Sequence, residues 1–161
     1  MAATQTLGVA YAKLELIDAL ETAALRLRRG APYQWGHLGQ CNCGHLAQVV
    51  TGRDDASIHR AALQLGGEWA DRAREYCATS GLAVDTIVGR LIDLGFSTND
   101  LAELEALSND RVLRRLPSGR RYLQRNRRED VVEYLETWAA WLREELEARE
   151  AASPRSLMAA E

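Results

Sequence analysis

Apolar residues in this chain recur every three to four positions and no segment alternates in steps of two, so the regular element it can build is the α-helix. Val84, Ile87, Val88 and Leu91 form one such stripe, closed by Gly95. Ser97, with Asp100 three residues on, has the spacing of a capping box and opens the next, Leu101, Leu104 and Leu107. Val9, Leu16, Leu20, Ala23 and Leu27 predict a first helix that Gly30 and Pro32 stop. Val131, Leu135, Trp138 and Leu142 predict a last long one, with Asn126 as its cap and Glu129 as the capping partner. Shorter helices are expected from Asn42 as cap to Gly52, from Asp54 or Asp55 through Leu65, from Glu68 to about Ala78, and from Val112 to Leu116. Without β-branched alternation a sheet has nothing to be built from.

This pattern predicts an all-α fold, an irregular bundle of about six to eight helices in which the first and last long helices pack on each other. One helical domain is expected over 1–150 and a flexible tail over 151–161. A chain of 161 residues, 47% of them apolar, can bury a core without disulfide staples. Its three cysteines, an odd number, then suit a reducing compartment, and the expectation is a cytoplasmic protein. No segment approaches the apolar length of a membrane span, so no membrane partner is expected. Trp138 and Trp141, three apart, serve either the contact between the long helices or a homo-oligomer surface.

The unusual chemistry is concentrated in one loop, where His37, Cys41, Cys43 and His45 fall within nine residues beside Tyr33 and Trp35. Thiolate and imidazole are the ligands zinc prefers. The expected set is His37, Cys41, Cys43 and Cys77, with His45 and His59 as alternative ligands. On a helix, Cys43 and His45 point about 200° apart and cannot readily share an ion. A second reading makes Cys43 the nucleophile of a thiol enzyme, because the first turn of a helix lowers a thiol's pKa. A third takes the cysteines as small buried fillers and the histidines as donors to backbone carbonyls.

The segment Pro32-Tyr33-Gln34-Trp35-Gly36, followed by Asn42-Cys43-Gly44, is similar over about a dozen residues to the nucleophile region of NlpC/P60-type cysteine peptidases. That resemblance implies a catalytic Cys43 and a downstream strand delivering a histidine base. Asn42 stands where the family has Asp, the family's Ser is missing, and no strand is predicted downstream, so the chain is not assigned to that family.

The stretch from Arg111 to Arg128 carries eight arginines and no acidic residue, which leaves the rest of a chain of net charge −3 strongly acidic. Arg120, Arg121, Arg127 and Arg128 are the expected anion-binding residues, for an acidic protein, a small anion or a nucleic acid at 111–128. The competing expectation is a solvated basic face paired with neighbouring carboxylates. No Glu is followed by His three residues on, and there is no phosphate loop, H-E-x-x-H or G-x-S-x-G, so the familiar di-iron, nucleotide and hydrolase sites lose support.

Overall fold

The structure, a computed structural model, describes residues 13–152. Eight helices run through them: α1 (Leu14–Arg28), α2 (Asn42–Thr51), α3 (Asp55–Leu63), α4 (Trp69–Arg74), α5 (Ala83–Leu94), α6 (Thr98–Ala106), α7 (Asp110–Leu113) and α8 (Arg128–Ala151). Among the described residues there is no strand, so the all-α bundle read from the spacing is the fold. Val9 and residues 153–161 of the expected tail lie outside the described residues, and Ala151 is still helical.

The frame is α1 against α8. Leu16, Ile17, Leu20, Ala23, Ala24 and Leu27 put the buried face of α1 on one side, as the 3.6-residue period requires. They meet Val131, Leu135, Trp138 and Leu142 of α8, a helix of 24 residues and about 36 Å. Arg28 pairs with Glu136, Arg143 with Glu21, and the Arg128 guanidinium donates to the Leu27 and Ala31 carbonyls, so the two helices run antiparallel. Each fully buried leucine in this seam contributes roughly 2 kcal/mol. Trp138 and Trp141 are both buried within the chain, and the Arg115 guanidinium covers the Trp141 ring at 4.7 Å. Both are core residues of the chain.

The central helix is α2, buried from Asn42 to Gln48 and packed against α1, α3, α5 and α6. Two of the sequence-derived caps fall differently. The N-cap of α2 is Cys41, because the Asn42 amide is already committed: its oxygen accepts from the Tyr33 hydroxyl and its nitrogen donates to the Leu104 and Glu105 carbonyls. The N-cap of α8 is Arg127, Asn126 being exposed, and Glu129 and Asp130 supply the negative charge that the first turn favours. Asp54 caps α3 and the Ser97–Asp100 box caps α6, as read. Helix α4 is shorter than expected, since the chain leaves it at Glu75 to lay Tyr76 against Gly89 of α5. The brief helix before Pro117 starts earlier, where Asn109 accepts from the Arg111 and Val112 amides.

Candidate functional site

The loop over 31–41 is fastened to three helices through its backbone. The Leu38 carbonyl accepts from Trp69 Nε1 at 2.9 Å and from Cys41 Sγ at 3.6 Å. The Gly39 carbonyl accepts from Gln48 at 2.6 Å, and Gln40 donates to Asp55 at 2.7 Å. Glycine is required at two points: a Cβ on Gly39 would lie 1.9 Å from the Asp55 carbonyl oxygen, and one on Gly44 would lie 2.5 Å from Leu38 oxygen. Such approaches are open only to a residue without a side chain.

The histidines serve this fastening. His59 Nδ1 accepts the Leu38 amide at 2.9 Å and His37 Nδ1 accepts the Gly39 amide at 3.1 Å, which stacks the two rings 4.1 Å apart. A ring that accepts at Nδ1 carries its neutral-state proton on Nε2, whereas a metal ligand normally donates its second N–H to an acceptor. Either ring would have to release a loop amide before holding an ion. His45 donates from Nε2 to the Pro32 carbonyl at 2.8 Å and lies alongside Tyr33; burial pulls its pKa below the ordinary value.

Cys41 and Cys43 are fully buried, and Cys43 Sγ donates to the Leu101 carbonyl at 3.1 Å. Burial, reinforced by the nearby Glu105 carboxyl, pushes both thiols well above their ordinary pKa, the reverse of the activation expected from a helix start. The strand that the peptidase resemblance implies has no counterpart among the described residues, and the ring hydrogen bonds of His37, His45 and His59 there are all to backbone groups. Cys77 is exposed beyond α4 with Thr79 as its neighbour, apart from the other two. The structure therefore pairs His37 with His59 and places Cys41 and Cys43 at one helix start, but does not assemble His37, Cys41, Cys43 and Cys77. Among the described residues no group of three or more His, Cys, Asp or Glu side chains is arranged to hold an ion.

Glu105 is the residue the sequence reading missed. It is buried on α6, and its carboxylate accepts the Cys43 amide at 3.2 Å, so it caps α2 from a neighbouring helix. Burial raises its pKa more than the Cys43 amide lowers it. The signal was available: Glu105 stands four residues after Leu101, on the apolar face of α6.

The arginine segment is organised by another buried carboxylate. Asp130, in the first turn of α8, accepts from the Gln124 amide at 2.7 Å, from Arg120 at 3.0 Å and from Arg127 at 3.4 Å. Burial pushes its pKa up, but the amide and the two guanidiniums outweigh it and the carboxyl titrates below its usual range. Glu133 takes Arg120 as well, and the Ser118 amide. Of the four arginines expected to bind anions, Arg120 and Arg127 are thus held by carboxylates and Arg128 by the end of α1. Arg121 is exposed and without an ion pair among the described residues.

Two further features lie on this loop. The Tyr33 hydroxyl reaches the Arg125 carbonyl at 2.7 Å and the Arg125 guanidinium lies 4.7 Å over the Trp35 ring, so the aromatic loop and the arginine loop abut. Tyr122 is 78% exposed, the most exposed large apolar side chain of the described residues, and it follows Arg121 directly. Two open grooves, of about 430 Å³ beside Val49 and Asp93 and about 510 Å³ beside Pro117 and Val132, contain none of the cysteines or histidines.

No family model matches the chain, and neither a curated protein nor a solved structure matches it. Among the described residues no helix is long and apolar enough to cross a membrane.

Proposed function

We propose that this protein is an interaction module that binds an extended polyanion on the surface formed where the loop over 114–127 meets the loop over 31–41. The observation that carries the reading is the outward set of Arg121, Tyr122 and Arg125. Asp130 and Glu133 hold the loop from beneath through Arg120 and Arg127, while Arg121 and Arg125 have no carboxylate partner among the described residues. Residues 110–133 carry eight arginines against four carboxylates, so the field over this edge is positive although the chain as a whole is not. Zinc or thiol chemistry at Cys41 and Cys43 has less to support it, since each thiol is buried and already serves a carbonyl. Three free thiols suit a cytoplasmic setting.

The test is titration with inorganic polyphosphate at about 50 and 200 mM salt, the range in which counterion release is steep. Binding at the lower salt, weakened at the higher and reduced by Arg121→Ala and Arg125→Ala, is the expected result. No binding at the lower salt, or binding indifferent to both substitutions, overturns the reading.

A further inference from the structure

We infer that the polyanion is a single-stranded nucleic acid, with the Tyr122 ring as a stacking platform for a base; this rests on the polyanion reading above. An acidic polypeptide or inorganic phosphate would be met by the cations alone, whereas Tyr122 adds an open aromatic face directly beside them. Here Tyr122, 78% exposed, sits directly after an arginine with no carboxylate partner among the described residues, and the guanidinium of a second arginine three residues on lies 4.7 Å over the Trp35 ring. Guanidinium groups for the backbone, interleaved with aromatic faces for the bases, are the combination that holds unpaired strands without reading sequence.

The platform is also fixed in place. Residues on both sides of Tyr122 are tied to α8: the Gln124 amide and Arg120 to Asp130, and the Ser118 amide to Glu133. Leu123, the next residue, is buried and turns Tyr122 outward. A base therefore meets a ring whose backbone is already ordered, which lowers the entropic cost of stacking. A duplex fits less well. Its bases are stacked internally, and the positive charge lies on a loop, whereas direct readout of a duplex places a helix or β-ribbon in the major groove.

The experiment uses the full chain and three probes at about 50 mM salt: a short oligothymidylate, a duplex of equal length, and poly-L-glutamate. Expected is preference for the single strand, a loss of about tenfold in its affinity with Tyr122→Ala, and near-complete retention with Tyr122→Phe, which keeps the ring face. Tyr122 is exposed enough that both variants should fold, and circular dichroism checks this. If poly-L-glutamate or the duplex binds as well as the single strand, or Tyr122→Ala leaves the affinity unchanged, this inference fails while the polyanion reading stands. If none of the three probes binds while inorganic polyphosphate does, only this inference fails; if polyphosphate does not bind either, both fail.

Discussion

Two long irregular segments among the described residues, 31–41 and 114–127, each settle onto one buried carboxylate, and the two carboxylates are treated oppositely. Beneath the end of 31–41 lies Glu105, whose neighbours are the Cys43 amide and two thiols, and its pKa is raised by burial. Beneath 114–127 lies Asp130, whose neighbours include two guanidiniums, and its pKa is lowered in spite of burial. The first segment has no Asp, Glu, Lys or Arg of its own, and the second has six arginines. A carboxylate facing neutral donors closes a region and leaves nothing outside; one facing cations holds some of them and turns the rest outward. That difference matches the two regions: Cys41 and Cys43 are buried at the end of the first segment, while the second leaves Arg121 and Arg125 exposed.

The largest test breaks the first segment. Gly39→Ala drives a methyl into the Asp55 carbonyl, backbone against backbone, where no rotamer offers relief. A loss of about 4 kcal/mol or more is expected in urea unfolding. Gly36→Ala, in the same loop with nothing within 4 Å, should stay within about 0.5 kcal/mol of the parent. Equal midpoints for the two variants would show that the loop does not lie against α3 as described.

The second test acts on the other segment and is smaller. Asp130→Asn leaves Arg120 and Arg127 without their shared charge, at a cost of about 2 kcal/mol, because Arg120 retains Glu133. The sign with pH follows from the depressed folded pKa. The stabilisation is present above the unfolded value of about 4 and lost as pH falls through the folded one, so parent and variant should converge in acid. A difference that stays constant from neutral pH to acid would remove the charge from the explanation.

These contrasts also mark what could be read in the sequence. The helices were legible wherever an apolar stripe met a local cap, as in α5 and at Ser97–Asp100 of α6, because period and capping are properties of near neighbours. The cap of α2 was not, because Glu105 reaches Cys43 from 62 residues away. Asn42 looked like a cap and became a bridge to α6 for the same reason. Among the residues of the proposed surface, Arg121, Arg125 and Tyr122 stand out in the sequence as part of the basic stretch 111–128, whereas Trp35 reads only as an aromatic anchor of the other loop. Their adjacency arises only when Arg128 fixes α8 to the end of α1 and brings 125 over 35. Cys41, Cys43, His37 and His59 were singled out by type, and type does not tell a ligand from a hydrogen-bonding partner.

The smallest effect has the opposite sign and sharpens the comparison most. Glu105→Gln is the same isosteric exchange as Asp130→Asn, carboxylate for amide, and its oxygen can still accept the Cys43 amide. Here the folded pKa is raised above the unfolded one, so the group's contribution is fully present below about pH 4.3 and is lost as pH rises through the folded value. As pH rises above that, the parent carries the cost of an acid held where burial disfavours its charged form, and the glutamine variant does not. Glu105→Gln should therefore be at least as stable as the parent at pH 7, by up to about 1 kcal/mol, with the advantage shrinking toward pH 4. His45 and His59, whose pKa values are depressed chiefly by burial, weaken both proteins below about pH 6.5 and so cancel when the two curves are subtracted. Should Glu105→Gln instead lose stability at pH 7 as Asp130→Asn does, the negative charge itself must be holding the start of α2, and the two carboxylates would be performing one task by one mechanism.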